Sequence, residues 1–144
     1  MIKINSQEDL DILLNIVDWN DAFIREWYML SPSYIEPESR GTVAADFLPI
    51  MYVLICTSEL NCPCLELIFV EVDQIYFANG CDLNPIARFH KDKILFSFYE
   101  IENTDIQFTS LYYRILDKDS WGSKQRYGIR NVFDESGSLL IENL

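Results

Sequence analysis

Positive charge is scarce in this sequence. Eleven Lys and Arg stand against 23 Asp and Glu, for a net charge of −12 at neutral pH. A chain this acidic repels phosphate backbones and anionic headgroups, which argues against nucleic acid and membrane surfaces as partners. Long hydrophobic runs are missing as well. The longest, Phe47 to Cys56, has ten residues and contains Pro49, about half of the roughly 20 that a membrane-crossing helix needs. The five glycines (Gly41, Gly80, Gly122, Gly128 and Gly137) are scattered, so no glycine-rich loop can cradle a phosphate. His90 is the one histidine, and the nucleophile-elbow, Walker, dinucleotide and zinc-protease patterns are all absent. Residues Met1 to Asp9 have neither the apolar core of a signal peptide nor the basic character of a transit peptide, so the expected location is cytoplasmic.

What is present fits one globular domain over residues 1–144: 49% hydrophobic and 24% charged residues, with no repeat and no linker. Ser6-Gln7-Glu8-Asp9 reads as a helix start, with Ser6 as N-cap and acids in the first turn. Leu10, Leu13, Leu14 and Val17 then follow the i, i+3, i+4, i+7 spacing of one buried face, and the helix is expected to end near Asp18–Asn20. Strands follow. Ala22 to Leu30 alternates, Phe47 to Thr57 is β-prone, and Cys64 to Val72 is apolar on both faces, as a central strand covered twice would be. Glu66 is the exception in that strand. Gln74 to Ala78 can continue the sheet before a turn at Asn79-Gly80. Ile86 to Phe89 and Ile94 to Tyr99 flank a four-residue loop, Ile106 to Leu116 is a further long strand, and Tyr127 to Phe133 a last one. The fold expected is α+β: a mainly antiparallel sheet, as a sandwich or partly open barrel, with one N-terminal amphipathic helix packed on it.

The four cysteines, Cys56, Cys62, Cys64 and Cys81, are expected to be thiols. Cys62-Pro63-Cys64 has one intervening residue where paired zinc ligands usually have two to four. No metal and no cofactor are expected, and no catalytic residue is assigned; the balance of motifs points away from an enzyme.

The acids are placed unevenly. The 47 residues between Arg40 and Arg88 contain six acids and no Lys or Arg. Burial of the strands within this stretch should push Glu59, Glu66, Glu71, Asp73 and Asp82 toward strand ends and turns, where they form a candidate surface for a basic protein partner. The opposing interpretation is that these charges only keep the protein dispersed.

Three segments resemble a family of small uncharacterised bacterial proteins. Asp21-Ala22-Phe23-Ile24-Arg25-Glu26-Trp27, with Tyr28, Ser31 and Tyr34-Ile35 after it, is similar to the family's opening; Leu65 to Phe69 resembles its central strand, and Ile86 to Ile94 the following hairpin. The sequence departs from the pattern at Trp19-Asn20-Asp21, where the family has Phe-His-Asp, so any chemistry resting on that histidine is absent here. The family supplies no activity to carry over. In size and acidity it is reminiscent of immunity-type accessory proteins, which implies an acidic, non-catalytic binding module. The alternative is a small-ligand-binding protein, or a carboxylate-based enzyme, with a β-rich pocket lined by some of the 20 aromatic residues. A homodimer is compatible with either.

Overall fold

A computed structural model describes residues 1–31, 34–35, 38–40, 42–43, 48–75, 82–100, 105–121, 127 and 138–144. Over these residues it is a mostly antiparallel β structure with one α-helix, in the α+β class. The strands are β1 (Ile2–Lys3), β2 (Phe23–Leu30), β3 (Tyr34–Ile35), β4 (Thr42–Val43), β5 (Ile50–Cys56), β6 (Cys64–Val70), β7 (Ile86–His90), β8 (Lys93–Ser97), β9 (Ile106–Phe108) and β10 (Ser110–Leu116). The main sheet has the order β1-β10-β6-β5-β2, and a second sheet the order β7-β8-β9; β3 and β4 form a short pair. Residues 76–81, which include the Asn79-Gly80 turn, and all of the expected Tyr127–Phe133 strand except Tyr127 lie outside the described residues.

The helix α1 (Gln7–Leu14) forms where its cap places it. The Ser6 side chain accepts the Asp9 N–H at 3.1 Å, which satisfies one of the orphan donors of the first turn. It stops about one turn earlier than the spacing predicts. No basic residue supports its last turn, and the Asn15 amide donates at 2.7 Å to the Asp11 carbonyl, so a side chain takes up one end carbonyl. Leu10 and Leu13 are fully buried and Val17 nearly so. Gln7 also mimics a strand at the edge of the second sheet. Its amide donates to the Ala87 carbonyl and accepts the Phe89 N–H, each at 3.2 Å, blunting the free edge of β7.

Strands β5 and β6 are buried along their whole lengths, and period-two alternation divides their side chains between two cores. Met51, Val53 and Ile55 pair with Phe69, Leu67 and Leu65, and all six face the larger core that also takes in α1 and the second sheet. On the other face Ile50, Tyr52, Ile68 and Val70 pack with Tyr112, Leu139 and Leu144. Phe69 is the hub of the first interface. Its ring meets Phe96, Phe98 and Phe108 edge-on, with centroids 5.5, 6.2 and 4.8 Å away, geometry that adds to the effect of burial alone.

The expected Ile106–Leu116 strand is two strands in two sheets. The chain leaves the second sheet after Phe108 and enters the main one at Ser110, and the Thr109 N–H donates at 3.0 Å to the Val70 carbonyl between them. Strand switching of this kind makes the corners between packed sheets. The β7–β8 turn is Lys91-Asp92, tighter than the four-residue loop expected, because Lys91 adopts a left-handed φ of 57°. Replacing Phe69 by alanine removes the hub of this interface and is expected to cost about 3–5 kcal/mol; denaturant unfolding of the variant measures it, and an unchanged midpoint would show that the second sheet is held by other contacts.

Candidate functional site

The five acids singled out above lie in separate places. Glu59 is half-buried in the β5–β6 turn, where its N–H donates at 3.0 Å to Thr57 Oγ1. Glu71 and Asp73 follow β6 at its far end, roughly 20 Å away along the strand. Asp82 is exposed in the segment before β7. Glu66 is fully buried in mid-strand and paired with Arg114, so it has no direct access to a partner.

The Glu71–Asp73 end is the one place where these acids gather. Glu71 has a left-handed φ of 58°, unusual for a residue with a side chain, and it ends β6. Backbone bonds then fix the segment from both sides: the Val72 N–H donates to Pro49 at 2.8 Å and the Asp73 N–H to Gln107 at 3.0 Å. Asp73 is thereby held against Lys93, with Nζ 3.0 Å from its carboxylate. The hydrogen bond to Asp73 raises the Lys93 ammonium above its ordinary pKa, and the charges of Asp73, Asp92 and Glu71 add to it. Asp73 thus pairs directly with Lys93, while Asp92 and Glu71 contribute negative potential there. That base comes from the β7–β8 hairpin, outside the base-free stretch, so the sequence did not reveal it.

On the second face of the main sheet, register builds a row across four strands: Glu26, Leu54, Glu66 and Arg114. The Arg114 guanidinium donates to the Glu66 carboxylate, supplying the countercharge that a buried carboxylate requires. The Tyr127 N–H donates at 3.3 Å to Glu26. Trp121 covers the end of this face, its indole N–H donating at 3.0 Å to the Pro63 carbonyl, over a small cluster of Leu54, Cys56 and Cys64.

A cleft of about 520 Å³ opens beside that cluster, lined by Asp21, Phe23, Arg25, Cys56, Ser58 and Trp121, with Thr57 at its floor. Its polar anchor is not marked by any local pattern. Asp21 accepts both the Ser58 N–H at 2.9 Å and the Ser58 hydroxyl at 2.5 Å, and these bonds hold its carboxyl below the ordinary carboxylate range. The two residues are 37 positions apart, and their pairing depends on tertiary approach. His90 stands exposed at the end of β7 in the second sheet, opposite Lys93, and the Ser58–Asp21 bonds tie the β2 entry to the β5–β6 turn. Among the described residues no group of three His, Cys, Asp or Glu side chains is placed to hold a metal ion. No known protein family, curated protein or solved structure matches the chain.

Removing one partner of the buried pair leaves the other uncompensated. Arg114→Met is expected to destabilise the fold by about 3 kcal/mol, while the double variant Glu66→Leu, Arg114→Met recovers most of that loss; equal stability of the single variant and the wild type in denaturant would contradict it. For Asp21 the sign follows from its lowered pKa. Its contribution is complete above the ordinary value of 3.8 and is lost as pH falls through the lower folded value. The wild type should therefore lose thermal stability faster than Asp21→Asn as pH drops below about 4, and parallel profiles would contradict the tie.

Proposed function

We propose that this protein acts by binding, as a non-catalytic acidic module that docks a basic protein in the manner of an immunity or inhibitor protein. The observation that supports this reading most is the end of β6, where Glu71 and Asp73 are placed by the backbone, Lys93 pairs with Asp73, and the negative potential of Asp92 and Glu71 is felt at the same ammonium. Rigid backbone bonding at Val72 and Asp73 means that little ordering remains to oppose association. The docking surface proposed is narrower than the five acids of the sequence reading: Glu71 and Asp73 form its centre, with Asp92 added from the hairpin and Glu66 acting as a buried structural charge. Phe23 and Trp27 are also exposed on β2, but Phe23 pairs with Cys56 at the β5–β6 turn end of the sheet, away from Glu71, so they lie outside this surface. Among the described residues no helix is long and apolar enough to cross a membrane, and the proposed setting is the reducing cytoplasm.

A second reading, a small-ligand binder or carboxylate-based enzyme, is favoured by one feature: the cleft beside Trp121 has a volume of about 520 Å³, within the range of ligand pockets. Native mass spectrometry separates the two, since this reading requires a small molecule to travel with the protein.

Steering between exposed charges weakens as salt screens them. Association with a basic protein captured at low salt should therefore slow as salt rises, and Glu71→Gln with Asp73→Asn should slow it about threefold or more at low salt. A rate independent of salt, or unchanged in the double variant, would overturn the proposal.

A further inference from the structure

Cys56 and Cys64 face each other at the turn end of the central hairpin, where β5 ends and β6 begins. They are direct register partners on β5 and β6, and their sulfurs lie 2.9 Å apart. The next pair along, Thr57 and Pro63, is joined by the Thr57 N–H to the Pro63 carbonyl at 3.0 Å. Cys56 and Cys64 therefore occupy a non-hydrogen-bonded position, where antiparallel strands bring Cα atoms to about 4.5 Å and side chains closest together. That separation lies within the span a disulfide bridges.

We propose that Cys56 and Cys64 form a reversible dithiol–disulfide site, oxidised by a hydroperoxide that enters through the neighbouring cleft. Cys56 lines the cleft while Cys64 lies fully buried behind it, so Cys56 is the sulfur that meets the oxidant. Its thiolate attacks the peroxide; the S–O bond forms as the O–O bond breaks, and water leaves when the peroxide is hydrogen peroxide. The Cys64 sulfur then attacks the Cys56 sulfenic acid. An S–S bond forms, the S–O bond breaks, and the departing hydroxide takes up the Cys64 proton as a second water. The two thiols lose two electrons and two protons between them, and one peroxide is reduced to two waters. A small dithiol reverses the reaction by exchange.

The third described cysteine does not compete. Cys62 packs in the larger core, away from the cluster that holds Cys56 and Cys64. Burial, aided by the charge of Glu59, pushes its thiol up to about 11, so it stays protonated. Closing the bond fixes the Cys56 side chain beneath Trp121, which couples the oxidation state of the pair to the wall of the cleft.

The test uses the full-length wild-type protein, reduced, freed of reductant and then exposed to hydrogen peroxide. Remaining thiols are blocked in denaturant with one alkylating reagent, the protein is reduced again, and newly exposed thiols are labelled with a second reagent. The expected result is the second label on Cys56 and Cys64, the first on Cys62 and Cys81, and an intact mass lower by two hydrogens before alkylation. Cys62→Ala should leave this pattern unchanged and Cys64→Ala should abolish it. The first label on all four cysteines, a second label on Cys62 or Cys81, or sulfinic acid at Cys56 without a crosslink would overturn the proposal.

Discussion

Strands β5 and β6 are apolar on both faces, and a strand of that kind is stable only if something covers each side. The rest of the fold answers this demand. On one face the second sheet and α1 close over Val53, Leu67 and Phe69, with the phenylalanine cluster locking the two layers together. On the other, Trp121, Tyr127 and the residues around Leu139 and Leu144 lie over Tyr52, Leu54 and Ile68. Strand β10 serves both requirements: it extends the main sheet beside β6, and through Thr109 it is continuous with the strand that carries Phe108.

Double coverage leaves little room for charge inside, and it determines where the acids go. Glu66 is retained in mid-strand because Arg114 stands directly across from it on β10. Of the other described acids of the base-free stretch, Glu59 lies at the β5–β6 turn, Glu71 and Asp73 lie past Val70 at the other end of the strand, and Asp82 lies in the segment before β7. Glu71 and Asp73 are organised together, by Pro49 and Gln107 through the backbone and by Lys93 through charge. This links the packing of the core to the proposed function: the rim proposed to meet a basic partner follows directly on a wholly buried strand and is held by the backbone bonds of Val72 and Asp73.

Features written in local patterns were legible in the sequence. The Ser6 cap and the leucine stripe located α1, and the apolar runs located β5 and β6 and marked β6 as central. Glu66 stood out as the charge inside that run, with Glu71 near its end. Features set by contacts distant in sequence were not legible. The two-residue β1 carries too little pattern to notice. The break at Thr109 is imposed by Val70 and interrupts a run that otherwise reads as continuous β. The partners Arg114 for Glu66, Ser58 for Asp21 and Lys93 for Asp73 depend on register or tertiary approach. The Cys56–Cys64 pairing depends on the register of the β5–β6 hairpin, which the length of its turn did not settle.

The dependence of the fold on the doubly covered hairpin is tested most directly by native-state hydrogen exchange at the Val53 and Leu67 amides. These two residues are register partners at the centre of β5 and β6 and wholly buried. If the rest of the fold is built around them, both amides exchange only through global unfolding, with opening free energies that match denaturant unfolding, while amides of β7 exchange through smaller local openings. Exchange of Val53 and Leu67 by local opening, with β7 and β8 still protected, would contradict it.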